Sequence, residues 1–200
     1  MTDTYRTITE PNKGELFKDR NSKFYGFAFP ITDEDDVKIH LEQLKKEHHN
    51  AGHWCYAYQL GTEKIVFRVN DDGEPNNSAG MPIYGQIQSF NLTNVLVVVI
   101  RYYGGVKLGV SGLINAYRKG AELVLNTSLI EEKTINRNFQ LRFDYKHLSK
   151  VLRILKENDV EVVKRILEMD CLLELSVRKS NYQLVVDLFR DFYGVNVIEL

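Results

Sequence analysis

Short apolar runs separated by polar, glycine-containing breaks fill the first 125 residues and predict a mixed fold of strands and helices. Aromatic and β-branched residues predict strands over 22–29, 54–60 and 64–69. Residues 95–100 are all aliphatic, so they predict a strand buried on both faces. Apolar residues at helical spacing predict helices over 82–92, over 113–125, and from a cap at Thr32 or Asp33 to a stop at Gly52.

A different pattern follows a boundary between residues 127 and 134 and predicts a second domain, so we expect domains at 1–130 and 131–200. Its elements alternate as strand, helix, strand, strand, helix and strand, over 137–143, 146–157, 160–167, 172–177, 182–192 and 195–200. This order is the ferredoxin-like βαββαβ fold. The spacing of Phe139, Phe143, Phe189 and Phe192 predicts a core. RNA binding by exposed sheet aromatics is a lesser alternative, since 172–177 lacks a ribonucleoprotein motif.

The composition is that of an ordinary globular protein, with 44% hydrophobic and 26% charged residues and a formal net charge of −1. This balance excludes dense coating of nucleic acid by bulk charge. Residues 1–10 lack the apolar core of a signal peptide, and the run 95–100 is far shorter than the roughly 18 residues of a membrane helix. Cys55 and Cys171 suggest neither a disulfide framework nor a zinc site. We therefore expect a cytoplasmic protein with no membrane partner.

The charge is unevenly distributed along the chain. The 47 residues from 75 to 121 contain no Asp or Glu but include Arg101, Lys107, Arg118 and Lys119. An acidic group, Asp71, Asp72 and Glu74, lies immediately before this stretch. Overall neutrality therefore conceals an acidic turn next to a basic segment.

Four glycines, Gly104, Gly105, Gly109 and Gly112, fall between the predicted buried strand and the helix that follows it. Glycine permits positive φ, and exposed amides near a helix start can hold an anion. Arg101 and Lys107 would add charge, and Tyr102 or Tyr103 a stacking face. The plain alternative is a tight connection with solvated basic residues. A nucleotide P-loop is disfavoured because Val110-Ser111 stands where Lys-Ser/Thr is required, and no Gly-x-Gly-x-x-Gly is present.

Several ordered motifs between residues 15 and 125 resemble the IMPACT family. They are His53-Trp54-Cys55-Tyr56-Ala57-Tyr58, Asn70-Asp71-Asp72-Gly73-Glu74-Pro75, Ser78-Ala79-Gly80-Met81-Pro82, the run 97–105, Lys107-Leu108-Gly109, Gly112-Leu113 and Ala116-Tyr117. The rest of the chain is similar to the small ferredoxin-like domain of bacterial YigZ-like members, itself similar to a C-terminal domain of elongation factor G. The resemblance implies an α+β fold whose first domain is like the second domain of ribosomal protein S5.

The resemblance also implies a link to translation. Eukaryotic members restrain the kinase that senses uncharged tRNA by competing for its activator, whereas bacteria have no such pathway. We therefore expect RNA, a ribosomal or translation-factor complex, or a protein as the partner; the oligomeric state stays open. The site residues expected around the glycine-rich segment are those named above with Arg118, and the motif-loop residues are His53, Asp71, Asp72, Glu74 and Ser78.

Two positions depart from the family pattern. Asn76-Asn77-Ser78 stands where members often have Ser-Gly-Thr, so a lost glycine predicts a stiffer loop. Asn115 stands where members often have Arg, and we expect Arg118 to substitute for that charge.

Enzymatic chemistry is the competing hypothesis. Asp71, Asp72 and Glu74 would hold a metal for a reaction on a phosphorylated small molecule, or would instead shape the turn and pair with Arg101 or Lys107.

Other chemistry is less well supported. A metal site formed by Cys55 with His48, His49 and His53 would lack a second Cys-His pair at zinc spacing. Cys55 as a nucleophile lacks an identified oxyanion hole, and Ser111 lacks the Gly-x-Ser-x-Gly elbow. We expect no catalytic residue, no metal and no cofactor.

The leading hypothesis is a basic glycine-rich loop that contacts RNA phosphate. It predicts that replacing Arg101 and Lys107 with Ala weakens RNA binding and leaves the melting temperature nearly unchanged.

Overall fold

The computed structural model describes residues 3–200 and divides them between two units. The larger unit is Tyr5–Lys133, and the smaller one is Thr134–Leu200 together with residues 3 and 4. Within residues 3–200, no helix is both long and apolar enough to cross a membrane.

An antiparallel six-stranded sheet organises the larger unit. The strands of this unit are β1 (Thr4–Ile8), β2 (Asn12–Lys13), β3 (Phe17–Asp19), β4 (Ser22–Pro30), β5 (His53–Leu60), β6 (Val66–Asn70), β7 (Val95–Tyr102) and β8 (Ile130–Thr134). The main sheet has the order β2-β4-β7-β5-β6 with β3 beside β4, while β1 and β8 pair separately. The short strands β1, β2, β3 and β8 carry little periodic signal and were not expected from the sequence.

Strand β7 is the centre of this sheet, and its alternation decides which side chains face which helices. Val95, Val97 and Val99 belong to the core cluster shared with α2 (Gly80–Ser89) and α3 (Gly109–Thr127). The intervening residues of β7 belong to the cluster shared with α1 (Glu34–Glu47) on the other face. The predicted burial of this strand on both faces is confirmed. The same alternation assigns Arg101 to the α3 face and Tyr102 to the α1 face.

Two helices differ at their ends from the prediction. Asp33 caps α1 as expected, with its carboxylate accepting the amides of Asp35 and Asp36, but the helix ends at Glu47 rather than at Gly52. Helix α3 begins at Gly109, one turn before the predicted start, and Gly109 takes a φ of +75° where the glycine-rich turn passes into the helix. The earlier start brings the helix terminus into the candidate site.

The smaller unit has the predicted βαββαβ order. Its elements are β9 (Asn136–Asp144), a short 3-10 helix (Tyr145–His147), α4 (Leu148–Glu157), β10 (Glu161–Ile166), β11 (Asp170–Arg178), α5 (Lys179–Arg190) and β12 (Val195–Glu199). The sheet has the order β10-β11-β9-β12, and all its pairs are antiparallel. Phe139, Phe143 and Phe189 are buried in the core, and Phe192 packs against it partly buried. The α+β fold class with a ferredoxin-like second part is confirmed.

The contact between β4 and α3 depends on Gly26. A Cβ atom at Gly26 would lie 2.4 Å from the carbonyl oxygen of Gly120, so helix and strand would have to separate. We expect Gly26→Ala to lower the free energy of unfolding by about 1–3 kcal/mol through overpacking. Gly85→Ala is the matched control, because Gly85 lies inside α2 with no heavy atom within 4 Å of its added Cβ.

The control should raise stability by about 0.5–1 kcal/mol through helix propensity. Urea midpoints of the two variants provide the comparison, and equal midpoints would show that the helix–strand contact is looser than described.

Candidate anion-binding cavity

Asp71 organises the acidic loop by binding backbone amides. Its carboxylate accepts hydrogen bonds from the amides of Asn77 at 2.8 Å, Ala79 at 2.9 Å and Gly80 at 2.8 Å. Helix α2 begins at Gly80, and Ala79 offers no capping side chain, so Asp71 supplies the cap from outside the helix. The carboxylate of Asp71 therefore holds the acidic loop against the N-terminus of α2.

Asp72 connects the loop to the start of β5. Its carboxylate accepts the amide of Trp54 at 2.7 Å, and its backbone carbonyl lies 2.7 Å from Nδ1 of His53. A carbonyl can only accept, so Nδ1 of His53 carries the proton in this contact. In the neutral ring, Nε2 is then left as an acceptor, 3.8 Å from the Glu74 carboxylate.

Glu74 and Arg101 form a buried ion pair. Nη1 of Arg101 donates to Oε1 of Glu74 at 2.6 Å, and the Tyr117 hydroxyl donates to the same oxygen at 2.7 Å. The exposed fractions are 9% for Glu74 and 5% for Arg101. Burial raises the pKa of Tyr117 well above its usual range, which keeps the hydroxyl protonated as a donor. Arg101 also donates to Ser22 Oγ at 3.3 Å.

The three carboxylates therefore point to different partners instead of converging. Asp71 and Asp72 accept backbone amides, and Glu74 accepts Arg101 and Tyr117. Residues 3–200 contain no group of three or more His, Cys, Asp or Glu side chains placed to hold a metal ion. The geometry supports the structural role weighed for these carboxylates, pairing with Arg101 included.

A cavity of about 410 Å³ opens beside the ion pair. Of the residues singled out from the sequence, it is lined by His53, Glu74, Arg101, Tyr103, Lys107 and Gly109. The remaining wall is apolar and consists of Pro75, Leu108, Val110 and Leu113. Glu74 is the acidic residue of the lining, and Arg101 already balances its charge. Lys107 is exposed and forms no ion pair with residues 3–200, so the lining carries a net positive charge.

The N-terminus of α3 contributes a second source of positive potential. Leu108, Gly109 and Val110 line the cavity, and the helix that starts there is 19 residues long. Leu108 in the capping position provides no side-chain hydrogen bond to the first-turn amides. Uncapped first-turn amides and the helix dipole both favour an anion. The predicted combination of a glycine-rich turn and a helix start is thus present, at Gly109 rather than near Gly112.

Among the expected contact residues other than glycine, Tyr102 and Arg118 lie outside the cavity. Tyr102 faces α1, where its hydroxyl lies 2.9 Å from Nδ1 of His48, so the stacking face belongs to Tyr103 instead. Arg118 is exposed on α3 and approaches Asn115 at 3.5 Å. Neither side chain adds to the lining, and the expectation that Arg118 substitutes for the charge missing at Asn115 stays a prediction.

The glycines and Ser78 have distinct structural roles. Gly104 lies against the β3–β4 turn, where a Cβ would approach Asn21 C to 2.1 Å. Gly105 takes a φ of +82° in the turn, and Gly112 packs its backbone near Leu108. Ser78 is fully buried, and its hydroxyl donates to the Pro75 carbonyl at 2.6 Å. Only Gly109 of the four glycines lines the cavity.

The loop retains a glycine-like conformation where the family glycine is missing. Asn77 takes a φ of +61°, which asparagine tolerates better than most residues. Its amide donates to Asp71, so the left-handed turn is held in place. Asparagine at this position therefore adopts a left-handed conformation of the kind that glycine permits.

Tyr117 and Ser22 complete the site but were not selected as site residues from the sequence. Tyr117 falls in the helical Ala-Tyr motif, and its hydroxyl reaches Glu74 from α3. Ser22 lies at the start of β4, where it accepts from both Arg101 and the amide of Gly104. Sequence spacing offers no signal for Ser22, because its partners lie far along the chain.

The structure argues against Cys55 as a nucleophile. Cys55 is completely buried, its thiol donates to the Asp71 carbonyl at 3.0 Å, and burial raises its pKa well above the usual range. Cys171 is also buried. We expect both thiols of the native protein to resist Ellman's reagent at mildly alkaline pH and to react fully after unfolding. Rapid native labelling of Cys55 would contradict the described packing; Cys55→Ser separates its signal from that of Cys171.

Burial of the ion pair changes the expectation for Arg101→Ala. Removing the guanidinium leaves a buried carboxylate without its partner, so we expect a loss of about 3–5 kcal/mol in the free energy of unfolding rather than an unchanged melting temperature. Lys107→Ala, at an exposed unpaired cation, should leave the midpoint unchanged. The double variant Arg101→Met with Glu74→Gln should lose less than Arg101→Ala, since no charge stays buried.

Denaturant midpoints at neutral pH test this. Equal midpoints for Arg101→Ala and Lys107→Ala would contradict a buried pair.

The comparisons with known proteins agree with the resemblance found in the motifs. The Impact N-terminal domain matches residues 20–125. IMPACT family member YvyE of Bacillus subtilis (strain 168) is 34% identical over 158 residues, which are 79% of this chain and 72% of that protein. An IMPACT family member of Haemophilus influenzae is 29% identical over 177 residues, 86% of each protein.

A solved structure also shares the fold. A crystal structure described as that of a hypothetical protein superimposes with a TM-score of 0.73 at 23% identity, over 100% of this chain and 98% of that one.

The domain match covers more than half of the chain, and the Bacillus relative is matched over most of both lengths. The chain therefore belongs to the IMPACT family.

Proposed function

We propose that this protein acts in translation by binding RNA through the cavity at the N-terminus of α3. The observation that carries the proposal is the positive end of the cavity, which Lys107 and the first residues of α3 line together and where α3 has no side-chain cap. The link to translation is the one that resemblance to the IMPACT family implies, and the chain belongs to that family. Residues 1–130 and 131–200 are proposed as separate functional domains, with RNA contact in the first.

Tyr103 supplies the part of the site that suits a nucleobase. Its side chain is 54% exposed, and its ring lies 5.3 Å from the Arg101 guanidinium. Stacking of a base on an aromatic ring is tolerant of sequence, and cationic side chains add affinity for phosphate. Because few charges line the cavity, the contact is local, in agreement with a chain whose net charge is −1.

Two features together favour RNA over a protein partner: the exposed ring of Tyr103 and the N-terminus of α3, whose dipole attracts anions. A protein-binding surface would need no uncapped amides next to an unpaired cation. A pull-down from cell extract with and without nuclease distinguishes the two: partners lost after nuclease treatment support RNA, and partners that persist support a protein-interaction regulator.

Charge removal at Lys107 tests the site directly. We expect Lys107→Gln to weaken binding of a labelled single-stranded RNA and to reduce the salt dependence of the affinity by about one counterion. Lys107→Arg should retain most of the affinity. Lys64→Gln is the matched control, because Lys64 is an exposed cation between β5 and β6 that does not line the cavity.

Fluorescence anisotropy over a series of salt concentrations measures both quantities. Identical affinities and salt slopes for the Lys107→Gln and Lys64→Gln variants would remove Lys107 from the RNA contact.

A further inference from the structure

We propose that the cavity takes one terminal ribonucleotide with its phosphate monoester, rather than an internal stretch of RNA backbone. This inference rests on the proposed function and narrows it to a ligand class. The shared chemistry is a phosphorylated nucleotide unit, which is supplied either by a phosphorylated RNA end or by a free mononucleotide.

The size of the cavity favours a single unit. Its volume of about 410 Å³ falls in the range of roughly 300–1,000 Å³ that small-ligand pockets occupy. A continuous strand requires an open groove with cations along it, and the lining offers one free cation among its ten residues. The pocket therefore has room for one nucleotide but lacks the charges that would follow a backbone.

The apolar and aromatic part of the lining is separate from its positively charged part, as the base of a nucleotide is separate from its phosphate. Pro75, Leu108, Val110 and Leu113 form an apolar wall, and Tyr103 provides an aromatic face for a base. Lys107 and the α3 terminus provide the anion end. A phosphate monoester carries more charge than an internal diester, about −1.5 to −2 at neutral pH, so a single cation and one helix end favour the terminal group.

Arg101, in the wall of the cavity, carries one buried hydrogen-bond donor without a partner among the described residues. Its Nη1 and Nη2 atoms donate to Glu74 and Ser22, but the buried Nε has no hydrogen-bond partner. Arg101 is 95% buried in a wall of the cavity, and an unsatisfied donor of a charged group is costly. Nε itself is shielded from solvent, so a ligand oxygen would reach this donor only after a shift of the Tyr103 ring, which lies over the guanidinium and is half exposed.

His53 provides a contact that suits ribose. The Asp72 carbonyl accepts the proton of Nδ1, so in its neutral form the ring presents Nε2 as an acceptor at the cavity wall. A hydroxyl donor is the complementary group, and the 2′-hydroxyl is what distinguishes RNA from DNA. The ligand class that uses all four features is a ribonucleotide with a terminal phosphate.

The test uses the full chain and three labelled RNAs of one sequence, with a 5′-phosphate, a 3′-phosphate or hydroxyls at both ends. We expect one phosphorylated form to bind about tenfold or more tightly than the hydroxyl-ended form. Adenosine monophosphate should compete for it. Lys107→Gln should abolish the preference, whereas Lys64→Gln should retain it, and the DNA version should bind more weakly.

The outcomes separate this inference from the function on which it rests. Equal binding of all three RNAs, with no competition by adenosine monophosphate, would overturn the terminal-nucleotide site and leave RNA binding intact. Binding of adenosine monophosphate, lost in Lys107→Gln, without binding of any RNA would support the pocket and its free-nucleotide source while removing the RNA function. Binding of neither RNA nor nucleotide would overturn both.

Discussion

The buried ion pair between Arg101 and Glu74 joins three parts of the chain that are distant in sequence. Arg101 lies at the end of the central strand β7, Glu74 lies in the loop before α2, and Tyr117 reaches the same carboxylate oxygen from α3. Two opposite charges removed from water require good geometry and further hydrogen bonds to be tolerated. Tyr117 and Ser22 supply those bonds, so the pair holds the loop, the strand and the helix in one arrangement.

This arrangement determines what the cavity presents to a ligand. Because Arg101 neutralises Glu74, the cation that remains in the lining is Lys107, so the excess positive charge lies at the glycine-rich turn and not at the sheet. The loop that carries Glu74 is fixed by Asp71 and Asp72, whose carboxylates accept hydrogen bonds from backbone amides. The three carboxylates of the acidic motif therefore shape the loop beside the cavity, two through backbone amides and one through Arg101.

Local patterns in the sequence were sufficient for the fold and for part of the site. The aliphatic run of β7 indicates a strand buried on both faces, and the βαββαβ order follows from element spacing alone. The two-residue period of β7 also separates Tyr102 from Tyr103, but only once the strand is known to continue to Tyr102. Ser22 and the close approach at Gly104 could not be predicted, because they are contacts between segments about 80 positions apart.

The central claim is that an anionic RNA ligand meets the protein at the cavity framed by the ion pair. Amide chemical shifts in a titration of the isotope-labelled protein with a short phosphorylated RNA test it most directly. The account predicts perturbations concentrated at residues 103–113 and at His53, with the ferredoxin-like unit at 134–200 largely unchanged. Perturbations confined to residues 134–200, with unchanged amides around the cavity, would contradict it.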